Sequence, residues 1–171
     1  GSIATELIKE YKNTDNRVRV IEENWINEIN TELGQVIGST ADTLDNYDAN
    51  GKRLVRSQET NTGNFAADAL YYLFDNMGLD VDVAVMNGGG IRNTALTGDL
   101  TYKVAKNIQP YSNVTCLQTI TGQQLLDALE WGSRGVGTGE EVNGFLHVAG
   151  VTFKVDDRWP SSVQMDNKGV W

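Results

Sequence analysis

The residues in this chain best suited to chemistry lie in two short strings, Asn87 to Arg92 and Gln109 to Asn113. The valine-rich run Val81 to Met86 stops at Asn87-Gly88-Gly89-Gly90, so a buried strand is expected to open into a glycine loop. Consecutive glycines let a backbone approach a ligand closely and present its amides with no side chain in the way. Arg92 sits within reach of the same spot, and a guanidinium offers planar, charge-assisted donors to an anion. The same residues would equally make a tight glycine turn beside a surface arginine, and the string alone does not separate the two readings. It is not a Walker loop, which ends in Gly-Lys-Ser/Thr, nor a dinucleotide fingerprint, which opens a long helix.

Other candidates have plainer readings. His147 is the sole histidine and sits in an alternating run; a lone histidine builds no metal centre, so it is read as a strand residue. Glu140 and Glu141 follow a glycine-rich stretch and are expected in a solvated loop. Asn113-Val114-Thr115 fits the glycosylation pattern, which matters only in a secreting eukaryote. Tyr71, Tyr72 and Trp25 are read as helix packing residues.

The elements that must position these residues interleave irregularly. Val18, Ile21, Trp25, Ile26, Ile29 and Leu33 recur at helical spacing between Asp15 and Gly34. A shorter helix is expected over Ile3 to Tyr11. Gln35 to Leu44 reads as a strand entering an exposed loop over Asp45 to Gly51. Phe65 to Met77 reads as a helix capped by Asn61 or Thr62 and stopped by Gly78. Thr101 to Ile108 makes two helical turns, Val114 to Ile120 a strand, and Thr121-Gly122-Gln123-Gln124 a capping box before a further helix. Phe145 to Val155 alternates as a strand bent at Gly150. The expected class is α+β, a mixed sheet with packed helices.

A chain of 171 residues with 40% hydrophobic and 22% charged residues is the size of one domain with a single core. Its 14 basic and 23 acidic residues give a net charge of −9, which argues against a broad nucleic-acid surface but leaves room for a small anion in a local basic pocket. Cys116 is the only cysteine, so no internal disulfide forms and the compartment stays open. No apolar run reaches the length of a membrane span. Gly1-Ser2 has the look of an expression scar and Gly169-Val170-Trp171 has no helix stop, so the sequence is read as a fragment. Residues 1–34 are read as an N-terminal helical linker and 35–171 as the domain proper.

The string Val85-Met86-Asn87-Gly88-Gly89-Gly90-Ile91-Arg92 resembles the signature of the 5'-nucleotidase C-terminal domain, the family of ecto-5'-nucleotidases and bacterial UDP-sugar hydrolases. Arg56 to Asn64 with Ala66 to Ala69, Gly98 to Tyr102, Gln109-Pro110-Tyr111-Ser112-Asn113, Thr121 to Leu125 and Phe145 to Gly150 follow the family's order of landmarks from about Ile37 to Asp157. The resemblance implies a nucleotide-binding domain that grips nucleoside and phosphate. A separate N-terminal metallophosphoesterase domain of the same polypeptide would hold two divalent metal ions and cleave the ester; no catalytic residue, metal or cofactor is expected in this chain. It implies that Arg56 and Arg92 contact phosphate or ribose, that Asn87 meets the base edge beside Gly88, Gly89 and Gly90, and that Tyr111 is one of two rings sandwiching the base. Lys52 stands where some relatives place a further arginine. The parent would be a secreted, periplasmic or cell-surface enzyme hydrolysing nucleoside phosphates; a non-catalytic binding or adhesion module of the same fold is the alternative. Two departures stand out: Tyr111 replaces a phenylalanine, and the Gly-Asp-Gly segment that carries the second ring and an acidic neighbour is absent before Trp171.

Overall fold

The computed structural model describes residues 15–168; the expected helix over Ile3 to Tyr11 lies outside them. The first element, α1 (Asn16–Leu33), starts at Asp15, whose carboxylate accepts the Arg17 amide, and stops at Gly34, as the apolar spacing predicts. None of its residues is buried, however. Trp25 is 66% exposed and Val18, Ile21 and Ile29 are also in the open, so the packing role read for Trp25 is not found. The helical period is real, but α1 lacks an apposed apolar surface among the described residues.

The body interleaves short strands with helices, the α+β arrangement expected. β1 (Val36–Thr40) pairs antiparallel with β3 (Gly98–Thr101). β2 (Ala84–Asn87) pairs antiparallel with β4 (Leu146–Ala149), with Ala84 opposite Ala149 and Asn87 opposite Leu146. The ladder stops at Ala149 because Gly150 turns the chain with φ +82 and β2 has run out of partners, so Val151 to Val155 does not continue the strand. Val114 to Ile120 forms no ladder either, and Val114 is 93% exposed. Its β-branched composition favours a strand, but that preference is expressed only against a neighbour.

Between these strands lie α2 (Asn61–Asn76), α3 (Tyr102–Ile108) and α4 (Gly122–Ser133). Thr60, not Asn61 or Thr62, caps α2 by accepting the Gly63 amide at 3.0 Å. The side chains of Asn61 and Thr62 are committed instead to the backbone of Thr43 and Asp45, which draws the loop before the helix onto its first turn. That loop is therefore not fully exposed; Asn46 is buried and bonds the Asn93 carbonyl. Thr121 and Gln124 form the expected capping box at α4.

One core cluster joins Leu44, Val55, Ala66, Ile91, Ala95 and Ile108, and a second joins Ala67, Ala84 and Ala149. Tyr71 packs against the second cluster, whereas Tyr72 faces outward.

His147 is a buried strand residue. Its Nε2–H donates to the Val55 carbonyl at 2.8 Å, which leaves Nδ1 bare, buried and without a partner beside Gly63. Burial pushes its pKa below the ordinary 6.5, against the smaller opposing pull of the Val55 carbonyl and the Glu59 charge. The folded ring thus resists a proton that the unfolded chain accepts. Stability is expected to be unaffected by this group above pH 6.5 and to fall as pH drops below it, by about 1.4 kcal/mol for each tenfold loss of proton affinity. Urea midpoints at pH 7.5 and 5 should show a steeper acid loss for the native chain than for His147→Gln.

Candidate functional site

Two tight turns carry the key residues. Leu54–Arg56 forms a single 3-10 turn that buries Val55 and brings Arg56 to the surface of the core. Gly88–Gly90 forms a second one directly after β2. The two pack together because Gly88 lies flat against the Val55 carbonyl, where a methyl group would overlap that oxygen. Sequence reading assigned the glycines to ligand approach, but Gly88 and Gly89 first serve the approach of one backbone to another.

Around these turns is a cleft of about 390 Å3. Arg56 lines it from the first turn, Asn87, Gly89, Gly90 and Arg92 from the glycine turn, and Tyr111 and Asn113 from the loop after α3. Asn143, from the loop before β4, completes the wall. Of the expected site residues, Lys52 and Gly88 are not brought to the cleft. Lys52 closes a turn with Asp48, whose carboxylate accepts the Lys52 amide at 2.9 Å and whose own amide donates to the Lys52 carbonyl at 3.0 Å. Gly88 lies beneath, against Val55.

The amides of Gly88 and Gly89 are not free donors: that of Gly88 donates to the Phe145 carbonyl at 2.7 Å and that of Gly89 to the Asn143 carbonyl at 2.8 Å. The charged and stacking groups of the cleft are side chains. Arg92 is fixed through its backbone, with its amide on the Ile108 carbonyl at 2.9 Å and its carbonyl accepting the Tyr47 hydroxyl at 3.1 Å. Its guanidinium donates to the Gly89 carbonyl at 3.4 Å and lies 5.9 Å from the centre of the half-exposed Tyr111 ring. The Asn87 amide group donates to the Asn143 carbonyl at 3.3 Å. Two cations, three carboxamides and one aromatic face thus surround the cleft, a set suited to an anionic group joined to a flat, hydrogen-bonding ring.

Two contributors escaped sequence reading. Glu141, read as solvated, pairs with Arg56 at 3.4 Å and accepts the Arg53 amide at 3.1 Å. Asn143 stitches the glycine turn to the β4 loop. The available signal was Val142, an apolar residue between two polar ones, which is buried and whose amide donates to the Arg56 carbonyl at 2.9 Å.

A larger groove of about 660 Å3 runs beside residues 145–155 and includes Glu59, Asp68 and His147. Its charged residues are acidic and neither arginine reaches it, so it does not compete as an anion site. Among the described residues, no three His, Cys, Asp or Glu side chains are grouped to hold a metal ion. No described helix is long and apolar enough to cross a membrane.

Residues 36–166 match the family described as the 5'-nucleotidase C-terminal domain. The chain is 33% identical over 127 residues to the trifunctional nucleotide phosphoesterase protein YfkN of Bacillus subtilis, covering 74% of this chain and 8% of that protein. It is 30% identical over 104 residues to the cell wall protein Lmo0130 of Listeria monocytogenes, covering 57% of this chain and 13% of that one. In structure it is similar to a 5'-nucleotidase precursor from Thermus thermophilus, with a TM-score of 0.68 and 26% identity, covering 88% of this chain and 30% of the other. The chain therefore spans less than a third of each of these relatives. With the matched region enclosing every residue of the cleft, the chain belongs to the 5'-nucleotidase C-terminal domain family.

Proposed function

We propose that this chain is the nucleotide-recognition domain of a metal-dependent phosphohydrolase that converts nucleoside phosphates to nucleoside and phosphate. The observation that carries the reading is the convergence of Arg56, Arg92, Asn87 and Tyr111 on one cleft, although they come from separate segments of the chain. The arginines take phosphate or ribose oxygens, Asn87 takes the base edge, and Tyr111 stacks on the base. Hydrolysis belongs to a separate N-terminal metallophosphoesterase domain with two divalent ions, where water attacks phosphorus. Residues 1–34 serve as the linker to it, and the parent works outside the cytoplasm, in the periplasm or at the cell surface. A relative named as a cell wall protein supports that placement; a binding or adhesion module without catalysis is the second reading.

Titrating AMP into the 171-residue chain while recording amide spectra tests the reading. With Tyr111 the one ring among the described residues that line the cleft, binding is expected near millimolar, about 4 kcal/mol, with shifts first at Asn87 to Arg92 and Tyr111. No phosphate should be released, even with added divalent metal. Shifts confined to another surface would remove the cleft from the proposal, and metal-dependent release would overturn the division of labour between domains.

The same titration separates the two properties of Tyr111. Phenylalanine at this position is expected to bind AMP within about twofold of the native chain, and alanine to lose about 1 to 3 kcal/mol, because stacking outweighs the hydroxyl. Equal damage from both substitutions would refute the stacking role.

A further inference from the structure

Arg56 has an unusual setting for a ligand-binding cation. Its side chain is only 17% exposed, and its Nε is buried without a partner. Among the described residues its one ion-pair partner is Glu141, whose Oε2 stands 3.4 Å from Nη1. The other carboxylate oxygen of Glu141, Oε1, accepts the Arg53 amide at 3.1 Å. The Val142 amide, next in the chain, donates to the Arg56 carbonyl at 2.9 Å.

The Glu141-Val142 segment is therefore tied to the backbone at both ends of the short turn that carries Arg56. One oxygen is held by the turn's entrance, the neighbouring amide holds its exit, and the second oxygen meets the guanidinium. A long side chain with one fixed anchor loses most of its rotamers before a ligand arrives, which lowers the ordering cost of binding. From this arrangement we infer that Glu141 is the positioning residue of the cleft: it holds the Arg56 guanidinium ready for the anionic end of the ligand, and it does so from the opposite loop. The inference rests on the cleft taking a phosphate-bearing ligand. The pairing of Arg56 with Glu141 can be read without any ligand.

Glu141→Gln is the sharpest probe, because a glutamine of the same shape has one acceptor oxygen where both carboxylate oxygens are in use. Its oxygen stays with the Arg53 amide and its NH2 faces Arg56, which cannot accept from it. In the ligand-free 171-residue chain, the Arg56 Nε–Hε resonance is expected to be sharp and slowly exchanging. It should broaden and exchange at least about tenfold faster in Glu141→Gln and in Glu141→Ala. An unchanged resonance in both variants would overturn the inference, whatever the ligand result.

AMP and inorganic phosphate then serve as probes in a double-substitution cycle. Glu141→Gln is expected to weaken AMP about fivefold in the native background and to change it little when Arg56 is already alanine. Tighter binding would mean that Glu141 masks the guanidinium and would refute positioning, and equal weakening in both backgrounds would mean a general structural role. If the native chain binds neither probe, the nucleotide reading falls, while the Arg56 resonance still decides whether Glu141 orders that side chain.

Discussion

Replacing Gly88 with alanine is expected to cost about 3 kcal/mol of stability and to abolish the cleft. The added carbon would overlap the Val55 carbonyl oxygen and stand 3.0 Å from its carbon. Such a clash is cheap when the neighbour is the tip of a flexible side chain, but here it is backbone. Val55 is wholly buried, and the same oxygen accepts the His147 Nε2 bond at 2.8 Å. Relief must therefore either part the two turns or break that bond, which would leave a second orphan in a ring that already has Nδ1 unpaired. Chemical denaturation of Gly88→Ala beside Gly51→Ala supplies the measurement. Gly51 has open space around it but a φ of +80, so its cost should be only that of backbone strain, about 1 kcal/mol. Equal midpoints for the two variants would show that the turns are not in contact as described.

Arg92→Ala should leave the fold nearly intact and lower AMP affinity by about 10- to 150-fold, the equivalent of about 1.5 to 3 kcal/mol for a charge-assisted contact. Its backbone anchors, the Ile108 carbonyl and the Tyr47 hydroxyl, do not depend on the side chain, so thermal midpoints should barely move. In the phosphohydrolase proposed above the same substitution should raise KM. Arg92→Lys is expected to recover only part of the loss, because a point charge replaces a planar fork. An AMP titration unaffected by Arg92→Ala would remove the anion role from this residue.

Local signals in the sequence were read well wherever the structure is itself local. The stop at Gly78, which takes φ +72, the capping box at Thr121 and the bend at Gly150 follow from glycine's conformational freedom and from hydroxyl caps, which act within a few residues. Of the expected site residues, six meet at the cleft. Three kinds of feature were not legible. Strands were expected over Val114 to Ile120 and, from alternation, over Phe145 to Val155, but Val114 to Ile120 and Val151 to Val155 form none, because a strand needs a neighbour that the local pattern does not supply. The face of α1 was read as packed, because periodicity reports that a helix has an apolar side and not that anything covers it. Glu141 was read as solvated, because its partners stand 85 and 88 positions away and no window along the chain contains both.

That separation has a bearing on when the cleft comes into being. The bonds from Glu141 to Arg53 and Arg56 span 88 and 85 positions, and that from His147 to Val55 spans 92. A polypeptide leaving the ribosome displays Arg56, then the glycine turn, then Tyr111, long before the loop that joins them exists, and closing such long loops carries an entropic charge that only the finished contacts offset. Both arginines thus pass through synthesis on a half-built wall. The wall of the cleft closes late, when residues 141–147 arrive, so a nascent chain stalled before them would carry the family's signature without a finished cleft.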